Sequence, residues 1–551
     1  MSATPASDSV RPASGSAGGK ADEPHNIIDT LQSLIVAFVI AMTFRAYVAE
    51  GFVIPTGSMA PTLLGRHHSM IANDTGWRYV IGPSLENKIV GDQLRDPLLG
   101  HQPGTEGSGK PAGMSRSTQR SGDRVLVHKT AYAFIDPSRW DVVVFKNPTD
   151  PNGPSGNYIK RLIGLPNESI WLVDGDVFVN DRDSADDLYG YTVQRKPEFV
   201  QRAVWQPVFR SVHLPESVGA SPRRNSFIGD QWAFENGRYR YEGTGQGQLE
   251  WNKGAQVFVD DWAPYNQMGN SIPAGPESIG DLRVAATVVA ESADAMVRLE
   301  VVARDAQFHY EFGPQGVRVR MRQAAFGDPD DLATADLGWE ETPWESATAL
   351  APGRPVRIEC WQVDQQMWLF VNDKKIATLK YDWDPVQRLE QRSGRAAADD
   401  PASLIYASPG KSTTIRFMTD GGPVALDRVE VDRDLHYRTP AGGVRWTDNP
   451  LPAGLEPINP SFGFGTHPDV PAVLQDDHFY MLGDNTLASA DSRVWGYPHP
   501  IVARQIDPAP FVVPRSMLLG KAWVVYFPAL HSVKDGGRGL IPNFGDLRFI
   551  R

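Results

Sequence analysis

Between Met296 and Ala377 the side chains keep a period of two. The runs Met296-Val-Arg-Leu-Glu-Val-Val, Val317-Arg-Val-Arg-Met-Arg322, Val356-Arg-Ile-Glu-Cys360 and Met367-Trp-Leu-Phe-Val-Asn-Asp-Lys-Lys-Ile-Ala377 are short and bounded by Gly, Pro, Asn or Asp. A strand sends successive side chains to opposite faces, so such runs bury one face and wet the other, and several in series predict an antiparallel sandwich. The last run has Asn372-Asp373 where a hairpin turn is expected. Turn residues punctuate the whole chain, with 51 Gly and 44 Pro in 551 residues. The fold class expected is therefore mainly β.

One segment breaks this pattern. Leu34-Ile-Val-Ala-Phe-Val-Ile-Ala-Met42 is an unbroken apolar run within Ile27–Val48, about 33 Å of helix and enough for one bilayer crossing. Asp29, Gln32, Ser33 and Arg45 intrude, which leaves a buried or interfacial helix and a cleavable leader as competing readings. Residues 1–25 are poor in aliphatic side chains and read as a disordered tail. Arg11 and Lys20 before the helix favour a cytoplasmic N-terminus, with Arg45 pulling the other way.

The net charge of −12 and the lack of a basic block argue against nucleic acid as a partner. The single cysteine, Cys360, excludes an internal disulfide, thiol redox pairs and cysteine-rich zinc sites. Residues 66–121 and about 182–440 read as insertions between short β elements. In the first, His67, His68 and Met70 are read as surface side chains rather than metal ligands, because no cysteine or acidic cluster accompanies them.

Three stretches carry candidate chemistry. Phe52-Val-Ile-Pro-Thr-Gly-Ser-Met-Ala-Pro-Thr-Leu63 sets Ser58 on a constrained loop where backbone N–H groups can face a substrate oxygen, although Gly-Ser in a turn is commonly only a turn. In the strand Asn157-Tyr-Ile-Lys-Arg-Leu-Ile-Gly164, Tyr158, Lys160 and Leu162 share one face and Ile159, Arg161 and Ile163 the other. If Lys160 points inward, desolvation lowers its pKa and fits it to act as a base; if Arg161 takes the inward face, Lys160 is simply solvated. The third stretch runs from Phe479-Tyr-Met-Leu-Gly-Asp-Asn485 to Ser489-Ala-Asp-Ser-Arg493 and Trp495-Gly496, with Asp491 and Arg493 set for a local ion pair.

Five blocks in this order resemble the bacterial type I signal peptidases, membrane-anchored serine proteases with a Ser-Lys dyad. They are the apolar segment leading into Pro55-Thr-Gly-Ser-Met-Ala-Pro-Thr-Leu63, then Gly122-Asp-Arg-Val-Leu-Val127, Trp140-Asp-Val-Val-Val-Phe-Lys146, Tyr158-Ile-Lys-Arg-Leu-Ile-Gly-Leu-Pro166, and Gly483-Asp-Asn485 through Gly496. Gly520-Lys-Ala-Trp-Val-Val-Tyr-Phe527 is similar to the family's closing strand. The resemblance implies a β catalytic domain split into 49–181 and 441–551, a transmembrane helix at 27–48, and an insertion at 182–440. Within the insertion, about 227–438 resembles a concanavalin or laminin-G type jelly roll.

Carried over by position, the resemblance makes Ser58 the nucleophile and Lys160 its general base, with no cofactor and no metal. The Ser58 N–H and the Thr56 hydroxyl would form the oxyanion hole, Thr56 standing where the family commonly has serine. Ser489 would orient the lysine, and Asp484, Asn485, Asp491 and Arg493 would support the site. The implied substrate is a preprotein with small residues before its cleavage site, entering as an added strand. The implied setting is the bilayer of a bacterial cytoplasmic membrane, with the catalytic part outside the cytoplasm. About ten residues separate Val48 from Ser58, a reach of at most about 35 Å. Trp339, Trp344, Trp361 and Trp368 either stack on a glycan or fill the sandwich core. Two other functions stay open: a surface protein binding a glycan or protein on an inactive peptidase scaffold, and a Ser-Lys processing protease with another substrate.

Overall fold

The structure is a computed structural model. It describes residues 27–72, 75–83, 96–99, 119–214, 226–252, 259–268, 277–323, 338–346, 349–397, 401–407, 412–438, 462–532, 540–541 and 543–551. The expected tail at 1–25 lies outside the described residues. The chain divides into two compact units, Met1–Ala49 and Glu50–Arg551.

In the first unit an α-helix, Ile27–Thr43, continues as a π-helical turn over Phe44–Val48. Together they are 22 residues long and apolar enough to cross a membrane. Ile35, Phe38, Val39 and Ile40 are all exposed, so this apolar surface is not spent on a protein core.

The second unit is mainly β. An eight-stranded sheet has the order Ala49–Val53, Arg124–His128, Leu518–Phe527, Val142–Lys146, Asn157–Gly164, His478–Leu482 and Val513–Pro514, with Arg548–Phe549 added on Leu518–Phe527. Residues remote in sequence thus become neighbours. Asn157–Gly164 pairs with Val142–Lys146 on one side, Val143 opposite Lys160, and with Tyr480–Leu482 on the other. Beside this sheet lies a smaller one of Ala472–Val473, Glu168–Val173, Asp176–Asp181 and Thr192–Val193.

Two further sheets, of eight and seven strands, form the sandwich. Val284, Ala286 and Val288 of one sheet share a core with Leu299, Val301, Phe308 and Tyr310 of the other. Alternation does what it predicts: in Met296–Ala303 the residues Val297, Leu299, Val301 and Ala303 are buried while Arg298 and Glu300 are only half-buried. Asn372 and Asp373 both have positive φ, 47° and 65°, as a two-residue turn between Gln366–Val371 and Lys374–Lys380 requires. The eight-stranded sandwich sheet also takes in Gln206–Arg210, upstream of position 227, through pairing with Val424–Arg433. Trp361 and Trp368 pack with Phe370 and Trp205. Trp339 and Trp344 are half-buried, their rings covered by the guanidinium groups of Arg320 and Arg318.

The first insertion corrects the sequence reading. His68–Ile71 and Arg78–Ile81 form a hairpin whose Met70, Ala72, Tyr79 and Ile81 are buried around Trp77. His67 and His68 are therefore buried, at 2% and 7% exposure, rather than on the surface. Packing removes the hairpin's inner face from water, and the segment was too short for its two-residue period to stand out.

A buried ionic seam ties the small sheet to the sandwich. Arg304 bridges Asp174 at 2.5 Å and Asp281 at 2.6 Å, and Arg388 bridges Asp174 at 2.9 Å and Asp176 at 2.8 Å. Lys196 reaches Asp364 at 2.5 Å and Asp434 at 2.8 Å. Burying charge is costly unless each ion is paired and hydrogen-bonded; cations and acids interleave here, but neither Asp176 oxygen accepts a hydrogen bond from a described residue, and burial pushes the Asp176 carboxyl well above the usual carboxylate range despite the Arg388 charge.

Candidate active site

The loop carrying Ser58 is held from below and from both ends. Ile54, Met59 and Leu63 are buried in one apolar cluster with Val125, Val127, Val142 and Val144. Ile54 N–H donates to the Asp123 carbonyl at 2.9 Å, and Leu64 N–H to the Asp123 carboxylate at 3.0 Å. Asp123, inside the Gly122–Val127 block, is a clamp that sequence reasoning did not single out.

Lys160 comes from the middle of Asn157–Gly164, and its Nζ donates to Ser58 Oγ at 2.6 Å. The strand is buried on both faces: Lys160 is 2% exposed and Arg161 0%. The sequence left open which of the two points inward; both do, because each face of the strand is covered. Burial disfavours the ammonium and, against the pull of the Asp491 carboxylate, lowers the Lys160 pKa from its ordinary 10.5 to about 8. Ser58 itself is half-buried and Thr56 exposed, so the pair is covered on the lysine side and open on the other.

The Gly483–Arg493 stretch closes around this pair. Asn485 N–H donates to the Ser58 carbonyl at 3.0 Å, and Asn485 Nδ2 to the Gly57 carbonyl at 3.0 Å. Ala60 N–H also donates to the Gly57 carbonyl at 3.0 Å. The C=O and N–H of a trans peptide point in opposite directions. With the Gly57 carbonyl drawn toward Asn485, the Ser58 N–H faces away from it, and none of the hydrogen bonds among the described residues engages that N–H.

Asp491 and Arg493 form the expected local pair, Nε and Nη2 reaching the two carboxylate oxygens at 2.8 and 2.7 Å with both side chains fully buried. Burial pushes the Asp491 carboxyl up, but the Arg493 charge and its hydrogen bonds hold it below the usual carboxylate range. Asp484 pairs with Arg161, a partnership absent from the sequence reading. Ser489 is buried beside Gly483, but its hydroxyl makes no hydrogen bond, to Lys160 or to any other described residue. A Cβ on Gly483 would lie 2.1 Å from Ser489 Oγ and 2.5 Å from the Ser58 carbonyl, so this position admits only glycine without displacement.

Two site neighbours come from the second insertion. Tyr265 and Asn266 lie in the short helical turn Pro264–Met268. Asn266 and Asn485 exchange amide hydrogen bonds of 2.8 and 2.9 Å, and the Tyr265 hydroxyl donates to the Arg66 carbonyl at 2.8 Å. No period or motif marks these residues in the sequence. Among the described residues no group of three or more His, Cys, Asp or Glu side chains is arranged to hold a metal ion.

The profile described as "Signal peptidase, peptidase S26" matches residues 109–218, a stretch that includes Lys160 and stops short of Ser58. Signal peptidase I of Rickettsia bellii (strain OSU 85-389) is 29% identical over 150 residues, 27% of this chain and 38% of that protein. Signal peptidase I of Pseudomonas fluorescens is 37% identical over 93 residues, 14% of this chain and 32% of that protein. The probable signal peptidase I-2 of Synechocystis is 30% identical over 127 residues, 22% of this chain and 54% of that protein. The chain thus spans only 38% of the Rickettsia bellii protein.

Among solved structures, a carbohydrate-binding module from Bacillus subtilis aligns at 5% identity and TM-score 0.22, over 37% of this chain and 94% of its own. A non-specific endo-beta-1,3(4)-glucanase aligns at 10% identity and TM-score 0.23, over 50% of this chain and 95% of its own. Likenesses this distant say nothing of a ligand. Over the matched segment the chain is similar to the signal peptidase S26 family, and the same chain carries a β-sandwich.

Proposed function

We propose that this protein is a membrane-anchored serine endopeptidase that removes signal peptides from exported preproteins, using Ser58 as nucleophile and Lys160 as general base. The observation that carries the reading is the 2.6 Å hydrogen bond from Lys160 Nζ to Ser58 Oγ, made by a lysine that burial brings down to about 8. About one such amine in ten is neutral at pH 7, against about one in a few thousand at the ordinary pKa.

The neutral amine accepts the Ser58 proton as Oγ attacks the scissile carbonyl. The resulting oxyanion is met by the Ser58 N–H and the Thr56 hydroxyl. Lys160 then returns the proton to the leaving amine; in the second half Lys160 takes a proton from the attacking water and passes it to Ser58 Oγ as the acyl–oxygen bond breaks. Asp491 and Arg493 frame the lysine, and Asn485 fixes the Gly57–Ser58 peptide. Ser489, buried next to Gly483, would take up the lysine when the Ser58 bond breaks during turnover.

On this reading residues 49–181 and 441–551 form the peptidase and 182–440 its insertion, with the sandwich carrying a separate glycan or protein contact. The exposed apolar helix holds the peptidase at the bacterial cytoplasmic membrane, on its outer side, and a link of about ten residues keeps Ser58 within about 35 Å of the helix end. That the nucleophile and base are both present and hydrogen-bonded favours an enzyme over an inactive scaffold. The test is cleavage of a preprotein by detergent-solubilised protein, comparing wild type with Ser58→Ala and Lys160→Met. Cleavage by wild type alone is expected; equal cleavage by all three rejects the reading.

A further inference from the structure

We propose that Asn266, together with Tyr265, is a positioning element of the Ser58 site, so that the second insertion completes the peptidase rather than merely accompanying it. The proposal rests on the reading of Ser58 as nucleophile. The physical chain is short. Asn485 Nδ2 holds the Gly57 carbonyl at 3.0 Å, and the orientation of that peptide decides where the Ser58 N–H points. An asparagine amide can rotate, and its two ends differ only in which is donor and which acceptor. Asn266 removes that freedom by giving the Asn485 carbonyl a donor at 2.8 Å and its amide an acceptor at 2.9 Å.

Tyr265 restrains the same peptide from another direction. A Cβ on Gly57 would lie 2.0 Å from Tyr265 Cε1, so the ring rests against the Gly57 backbone and leaves room for nothing larger than glycine. The ring is pinned at both ends: its hydroxyl donates to the Arg66 carbonyl at 2.8 Å, and its own backbone carbonyl accepts from Gly82 N–H at 2.7 Å. Tyr265 is buried and Asn266 half-buried. The two insertions therefore meet over the nucleophile loop. Neither residue touches the reacting atoms; both act through the peptide that precedes Ser58.

The test uses the full-length protein in detergent and a preprotein substrate, with kcat and KM measured separately for wild type, Ser58→Ala, Asn266→Ala, Asn266→Asp, Asn485→Ala and the Asn266→Ala/Asn485→Ala double variant. Loss of a positioned oxyanion donor costs about 100-fold or more in kcat; loss of a residue that only steadies it is expected to cost about 10-fold, with KM moved less than about threefold. Asn266→Asp, which keeps the acceptor and loses the donor, should fall in between. Because Asn266 works through Asn485, adding Asn266→Ala to Asn485→Ala should lower kcat by less than about twofold, whereas independent structural damage would add.

Thermal melting of each variant checks that folding is retained, and Tyr265→Ala supplies a second route to the same peptide with the same expected fall in kcat. Ser58-dependent cleavage that Asn266→Ala and Tyr265→Ala leave at the wild-type kcat, or losses that add fully in the double variant, would overturn the positioning role alone. Equal cleavage by wild type and Ser58→Ala would instead remove the peptidase reading and this inference with it.

Discussion

Arg161 and Asp484 meet as a bidentate pair, Nε to Oδ1 at 2.8 Å and Nη2 to Oδ2 at 2.6 Å, with neither side chain exposed to solvent. Arg161 follows the proposed base in its strand, and Asp484 precedes the asparagine that holds the nucleophile loop. One ion pair therefore locks the strand of Lys160 to the turn that supports Ser58. The remaining guanidinium nitrogen donates to the Trp140 carbonyl at 2.9 Å, so its hydrogen-bonding capacity is well used.

Removing half of such a pair strands a buried charge. Asp484→Ala is expected to cost about 3–5 kcal/mol of stability, read as a lower denaturation midpoint. An Arg161→Met/Asp484→Leu double variant should recover part of that loss, because no unpaired ion remains. A double variant no more stable than Asp484→Ala would show that the pair is not coupled.

The pH dependence follows from Lys160. With its amine lowered to about 8 by burial, cleavage at limiting substrate should rise through neutral pH and level off above about 8, provided that the fold persists. Stability moves in the same direction. The folded lysine releases its proton at a lower pH than the unfolded one, so the unfolded state binds more protons between about 8 and 10.5 and stability increases across that window. Below about 8 both states are protonated and burial of the ammonium costs up to about 3 kcal/mol. Lys160→Met should abolish both slopes, measured by rate profiles and by melting from pH 7 to 10.

Thr56 offers a narrow substitution test. Its side chain is exposed beside Ser58, and if its hydroxyl meets the oxyanion, Thr56→Val should lower kcat about 10-fold or more while Thr56→Ser keeps most activity. Equal rates for Thr56→Val and wild type would take the hydroxyl out of the mechanism.

Ser489 and Gly483 separate an orienting role from packing. The Ser489 hydroxyl is buried without a partner, so Ser489→Ala should leave the melting temperature unchanged or slightly raised, since no hydrogen bond is lost. A fall in kcat from that variant would then report contact with Lys160 during turnover. Gly483→Ala should be strongly destabilising, and Ser489→Ala should rescue it only partly, because the Ser58 carbonyl remains 2.5 Å from the added carbon.

Much of this was legible in sequence where one local property decides the outcome. The two-residue period from Met296 to Ala303 reports a half-buried strand, and Asn372-Asp373 reports a turn that needs positive φ. The run Ile27–Val48 reports a helix with an apolar surface. The meeting of Ser58 with Lys160 was accessible only through the order of the five blocks, because no local pattern links residues 102 positions apart. What stayed hidden depends on partners that the chain brings from far away. Arg161 reads as an ordinary strand residue until Asp484 arrives, and Tyr265-Asn266 reads as loop until it lies on Gly57. His67 and His68 read as surface side chains because four-residue strands carry too little period to reveal a packed hairpin.

The ionic seam sets a limit on trimming this molecule. Asp174 and Asp176 sit on a hairpin outside the sandwich, yet their counterions Arg304 and Arg388 are delivered from within residues 182–440. Cutting the sandwich away would take both cations with it and leave the two acids without the partners they have here. A grafted short loop would meet the same difficulty unless both acids were replaced along with it. Host and guest now share one set of charges, and any engineered version must redesign the seam from both sides at once.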